Sequence, residues 1–282
     1  MKLTVLGSGS PEAYVRRASI GYLVDVGQDC ILFDCGGGVF DNLLRSGRSP
    51  SQITHIVFSH LHSDHMMDYA RLVHAAWDEG GAPIQVYGPA PIKAINAGYF
   101  GPEGVLAHDL RARTELPQSQ QVWLARGGTL PRPWPEPVIQ EISSGETIEG
   151  AGWQIETCRA PHAQPFLECL ALSLTFEGKK FVYAGDAGLC REVEELSRDA
   201  DLLLHWCYRL DGEVVTPEMA ETTPTPSQIG EMAKRVGARS LILTHFRKHM
   251  DDPEHFDQAK KKASAAFGRN VLVAEDLQRV EF

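Results

Sequence analysis

Six consecutive residues constrain this chain more than any other feature. His60-Leu61-His62-Ser63-Asp64-His65 puts three imidazoles and a carboxylate directly after the compact apolar stretch His55-Ile56-Val57-Phe58-Ser59. Imidazole nitrogen and carboxylate oxygen are the donors that zinc and similar borderline ions take. On a loop leaving a strand, the i, i+2 spacing aims His60 and His62 at one ion. Asp64 and His65 can then turn toward a neighbour. A polar surface loop holds histidines by chance at times, but this grouping is far more specific than a lone His-x-His pair.

A metal site of this kind needs further ligands from elsewhere, and the patterning predicts a fold that delivers them. Strand patterns occur at 2–6, 19–26, 29–34 and 55–59, with a short helix over 39–45. The spacing of Met67, Ala70, Val73, Ala76 and Trp77 predicts one helix over 66–78. A strand at 84–87 precedes a helix after Pro91. From 101 to 137 the regular pattern weakens, and Pro131, Pro133, Pro135 and Pro137 exclude an uninterrupted helix or a central strand. That segment reads as an insertion serving as a lid, an arm or a dimer contact. Strands resume near 138–142, 152–159, 168–177, 180–185, 201–205, 240–244, 271–273 and 278–282, with helices at 189–196, 227–236 and 254–267. Two β-rich halves, each followed by αβ units, predict a single four-layer α/β domain over 1–282, with two central sheets and helices outside.

Charge narrows the partners. The 37 acidic and 27 basic side chains leave a net charge of −10, a poor balance for gripping nucleic acid by neutralising phosphates. A small molecule is the expected substrate, nucleic acid the less favoured partner. No stretch has the apolar length of a membrane span, and Met1-Lys2-Leu3-Thr4-Val5 opens a strand pattern rather than a signal peptide. The expected location is the cytoplasm, with no membrane partner. Cys30, Cys35, Cys158, Cys169, Cys190 and Cys207 form no Cys-x-x-Cys pair, which points to buried thiols rather than disulfides or a thiolate zinc site.

Three more residues complete a constellation. His162 in Arg159-Ala160-Pro161-His162, Asp186 in Ala184-Gly185-Asp186 and His245 in Leu243-Thr244-His245-Phe246 all close apolar strands. Singly, each reads as a capping or hydrogen-bonding residue. In this order after HLHSDH, the set resembles the metallo-β-lactamase superfamily, and within it the ribonuclease Z-like branch with its arylsulfatase and phosphodiesterase relatives. Leu6-Gly7-Ser8-Gly9-Ser10-Pro11 and Ile31-Leu32-Phe33-Asp34-Cys35-Gly36-Gly37-Gly38 are similar to that branch's opening loop and second motif. The resemblance spans nearly the whole chain.

The resemblance implies an αββα sandwich with two divalent ions, zinc first and manganese or iron as alternatives. It puts His60, His62 and His162 on the first ion, Asp64, His65 and His245 on the second, and Asp186 between them. Such a set leaves room for a bridging hydroxide that attacks the substrate without a covalent enzyme intermediate, and makes Asp64 a catalytic residue. A homodimer is implied on the same ground. His205 matches a ribonuclease Z histidine that helps protonate the leaving group, but Trp206 stands where that family usually has glutamate. General acid and structural histidine both stay open.

Phosphodiester, carboxylic ester, thioester, lactone, sulfate ester and β-lactam bonds all suit such a site. Ribonuclease Z usually carries a long basic arm, often between the positions matched by His162 and Asp186, yet only 23 residues separate them here. The expected function is a dinuclear metal-dependent hydrolase of a small ester or phosphodiester. Alternatives are tRNA 3′ processing, esterase, thioesterase or lactonase activity, iron-dependent oxidation, and metal-stabilised binding without catalysis. Arg16 and Arg17 either hold an anionic substrate group or sit in a solvated loop. Gly36-Gly37-Gly38 matches no phosphate-binding loop and suits a close backbone approach. Trp123 and Trp134 either pack or line a pocket.

Overall fold

The computed structural model describes residues 1–282. Its strands run in chain order as β1 (Lys2–Gly7), β2 (Gly21–Val26), β3 (Asp29–Phe33), β4 (His55–Val57), β5 (Gln85–Gly88) and β6 (Val138–Glu141), then β7 (Thr147–Glu149), β8 (Trp153–Arg159), β9 (Leu170–Phe176), β10 (Lys179–Tyr183), β11 (Leu202–Trp206), β12 (Leu241–Thr244), β13 (Leu272–Val273) and β14 (Arg279–Glu281). The first sheet has the order β14-β1-β2-β3-β4-β5-β6 and the second β13-β12-β11-β10-β9-β8-β7. Each half begins with antiparallel hairpins and continues with parallel strands, from β3 in the first and from β10 in the second.

Burial explains the layering. Strands β1, β3, β11 and β12 are buried along almost their whole length, as strands covered on both faces must be. Tyr22, Ile31, Phe33 and Val57 of one sheet meet Leu172, Phe181, Tyr183 and Leu204 of the other in the central core. Leu23, Leu32 and Ile56 point outward under Phe40, Leu43, Leu72 and Val73 of the flanking helices. Leu203, Leu241 and Leu243 do the same under Ile229, Met232, Ala259 and Ala263. The result is helix, sheet, sheet, helix. Strand β8 alternates buried and exposed residues, the mark of a strand with one face to solvent.

Three sequence expectations change. The helix predicted over 66–78 breaks into Ser63–Met66 and Tyr69–Asp78. The break falls at Asp68, whose carboxylate accepts from the backbone N–H groups of Gly38 and Phe40 while its own N–H donates to Cys35 O. The stretch 101–137 is more regular than its pattern indicates, with helices Ala107–Glu115 and Pro117–Ala125. The second buries no residue, so it carries no apolar stripe for periodicity to detect. Strand β7 and the helix Pro217–Thr222 went unmarked in the sequence. That helix starts on a Thr216 cap with Pro217 at its first position, two ordinary start signals.

Candidate metal centre

The loops that matter leave the carboxyl ends of β4, β8, β10 and β12, where open α/β sheets gather their ligands. They bring all seven expected residues together. His60 Nε2 lies 2.9 Å from His62 Nδ1, and His162 Nε2 lies 3.2 Å from that same atom. On the other side, His245 Nε2 is 3.3 Å from His65 Nε2 and 3.3 Å from Asp64 Oδ2. Asp186 Oδ2 is 2.9 Å from His245 Nε2, 3.6 Å from His65 Nε2 and 3.7 Å from His162 Nε2. It therefore touches both trios.

A buried carboxylate organises the imidazoles. Asp34 closes β3 in the left-handed region, φ 57°, and is fully buried. It accepts from Ser59 N at 2.8 Å, Ser59 Oγ at 2.7 Å and Tyr183 OH at 2.8 Å. His65 Nδ1 stands 2.8 Å from it, so the Nδ1–H of His65 points at Asp34 and its Nε2 faces the cluster. Ser59 Oγ passes the same orientation to His60 through Nδ1 at 3.0 Å. Partners of this kind fix the tautomer and raise the basicity of a metal-binding histidine. In the sequence Asp34 is marked only as the carboxylate that ends the apolar run Ile31-Leu32-Phe33, beside Cys35 and the glycines Gly36-Gly37-Gly38.

Glycine geometry supports the loop. A Cβ on Gly36 would lie 1.9 Å from Asp64 O, so the backbones approach as closely as the glycine run suggested. His245 itself adopts φ 61°, a conformation that costs a non-glycine residue energy and clusters at functional sites.

The donor set fits two divalent ions. Imidazole nitrogens about 3 Å apart match neighbouring ligands of one tetrahedral centre, given metal–nitrogen distances of roughly 2.0–2.1 Å. Asp186 Oδ1 and His245 Nδ1 are buried without a hydrogen-bond partner, an expensive state for polar atoms shut off from water. Protonation preferences agree. Burial lowers His60 well below the ordinary histidine range and His162 to about 4, keeping both neutral. Burial opposes charge on His65 and His245 too, but Asp186 with Asp34 raises the first well above its usual range, and Asp186 with Asp64 raises the second to about 9. Burial likewise works against Asp186, yet His245 and His65 hold it well below the carboxylate range. Metal ions displace protons from such groups when they bind.

A cavity of about 280 Å³ opens beside the cluster, walled by Pro11, Trp206, Tyr208, Met219, Thr222 and Thr223. His205 is not among these residues. It is fully buried, its Nδ1 lies 2.9 Å from Trp206 O, and its Nε2 has no partner. Burial lowers it to about 4. Burial favours its neutral form, and its neighbour Trp206 rather than His205 lines the cavity.

Other expectations also move. Arg17 is buried and spent on Asp251 and Glu275 at 3.0 and 2.8 Å, with Ser8 and Ala274 O as further partners; Arg16 pairs with the same two carboxylates. Neither meets the cavity. The 101–137 segment contributes nothing to it either. Trp134 packs against the helices outside the first sheet, and Trp123 stacks with Arg132, so the segment braces that layer.

Fold and site together define a metal-dependent hydrolase of the metallo-β-lactamase fold. A family model described as the β-lactamase superfamily domain matches residues 30–246, and the chain belongs to that superfamily. Among curated proteins it is similar to the ribonuclease Z of Mycobacterium sp. (strain KMS), 27% identical over 299 residues covering 100% of this chain and 96% of that protein. Among solved structures it superposes on the metallo-β-lactamase fold protein YhfI from Bacillus subtilis with TM-score 0.74, 21% identity and 99% coverage of both chains. Human tRNase Z, short form, gives TM-score 0.69 at 20% identity, covering 100% of this chain and 99% of the other. These two likenesses speak for the fold. No helix is long and apolar enough to cross a membrane.

Proposed function

We propose that this chain is a phosphodiesterase that holds one divalent ion on His60, His62 and His162 and another on Asp64, His65 and His245, with Asp186 shared. The carrying observation is the pair of donor trios joined through Asp186 Oδ2 at the floor of an open cavity. Bound ions there supply an activated water and neutralise charge on the substrate oxygens. The chain's own part is to orient His65 and His60 through Asp34 and Ser59, and to keep Asp186 ionised.

The full-length similarity to proteins named ribonuclease Z supports phosphodiester over carboxylic ester. It also favours a second reading, cleavage at the 3′ end of tRNA. Against that second reading stand the net charge of −10 and the tight Glu177-Gly178 turn between β9 and β10, which carries no arm.

The test is turnover by zinc- and manganese-loaded protein of bis(p-nitrophenyl) phosphate, a p-nitrophenyl carboxylic ester and a tRNA precursor with a 3′ trailer, with Asp64→Ala as control. Metal-dependent cleavage of the phosphate diester is the expected result. Cleavage of the carboxylic ester alone overturns the reading, and accurate tRNA cleavage at much higher efficiency moves it to the second.

A further inference from the structure

The cavity beside the donor trios is chemically one-sided. Its far wall carries Pro11, Trp206, Tyr208 and Met219, and no lysine or arginine lines it. Trp206 packs edge-on against His162 and His245, with centroids at 5.1 and 5.6 Å and interplanar angles of 81° and 77°. Its Nε1 donates to Ala187 O at 2.7 Å, which fixes the ring. Tyr208 leans on it at 5.2 Å and 34°. On Tyr208 rests Arg247, 4.9 Å from the ring centroid and paired with Glu213. Met219 reaches the cavity from the helix Pro217–Thr222. A thioether beside aromatic rings is an adaptable, polarisable contact for another ring.

These walls offer little to a second phosphate and much to a flat apolar group. The volume, about 280 Å³, lies at the small end for ligand sites and suits one ring beside one phosphoryl group. Building on the phosphodiesterase reading, we infer that the pocket selects substrates with a planar aromatic substituent next to the scissile bond, seated against Trp206, Tyr208 and Met219. A simple aryl ester has that geometry directly, and a nucleobase offers the same flat face one ribose further from the phosphorus. Trp206 is only 2% exposed, so the indole backs the cavity as a fixed edge while Tyr208 and Met219 present the accessible surface.

Calorimetric titration of the zinc-loaded chain with phenylphosphonate, uridine monophosphate and methylphosphonate tests this without turnover. The expected result is that at least one aromatic ligand binds about tenfold tighter than methylphosphonate, the scale of a single stacking contact. Preference for phenylphosphonate alone identifies an aryl group, and preference for both extends it to nucleobases. In Met219→Ala and Tyr208→Ala that ratio should fall toward one, with Trp206→Phe retaining most of it. Equal affinities in the wild-type chain, or a ratio unmoved by both alanine variants, overturn the inference. Aromatic preference without cleavage of any diester leaves it standing and defeats the phosphodiesterase reading instead.

Discussion

The two donor trios have similar ligands and opposite surroundings. His62 and His162 line the cavity with His60 buried behind them, and burial pushes all three imidazoles toward neutrality. His65 and His245 lie deeper, between Asp34, Asp64 and Asp186, and the carboxylates overcome burial to favour their charged forms. The difference teaches that a metal position is defined by what stands behind its ligands. Asp34, fixed by Ser59 and Tyr183, holds His65 directly and reaches His60 only through Ser59, whereas the side chains of His62 and His162 meet other imidazoles, Asp186 and the Trp206 ring.

The largest effect should come from the residue the trios share. Asp186→Ala is expected to lower metal content at both positions and phosphodiester turnover by roughly a thousandfold or more, since charge stabilisation by such ions is worth several kcal/mol. Elemental analysis beside kinetics checks it; retention of two ions would dissolve the comparison. Truncating one trio should be milder in stoichiometry: His162→Ala is expected to keep one ion of two, held by the deeper set. Loss of both ions would mean that the trios do not bind separately.

Asp34→Asn probes the support itself. Outer partners of metal-binding histidines typically contribute about 10- to 100-fold in affinity or activity, and that range is expected here for zinc affinity by competition with a chelator. Unchanged affinity would remove Asp34 from the account.

Titration of the metal-free chain sharpens the contrast. By histidine NMR, His162 should titrate near 4 and His245 near 9. The stability consequences have opposite signs. A raised His245 stabilises the fold fully below the unfolded value of about 6.5 and loses that contribution as pH rises through 9. A depressed His162 favours the fold above about 6.5 and loses it as pH falls through 4. Thermal melts at pH 4, 6.5 and 9 read both. The smallest effect is expected from Tyr183→Phe, which removes one buried hydrogen bond to Asp34 and should cost about 1 kcal/mol of stability in denaturant melts.

Much of this was legible in the linear chain. HLHSDH declares a metal loop because no other common role demands three imidazoles and a carboxylate at that spacing. The strands β4, β10 and β12 are short runs that end in buried residues, and their ends marked where His60, Asp186 and His245 would lie. Local periodicity failed where burial was weak, as in Pro117–Ala125, and where a distant partner decided the outcome, as at Asp68, whose capping of another helix split its own.

The donors, their order and the strands that carry them can be read along the chain, because residue chemistry and apolar spacing are local properties. Only the tertiary structure decided that Asp34 and Tyr183 stand behind His65, that Arg17 is consumed by Asp251 and Glu275, and that Trp206 rather than His205 faces the cavity. Those outcomes depend on which elements pack face to face, 149 residues apart for Asp34 and Tyr183, and spacing along a strand carries no record of what lies across it.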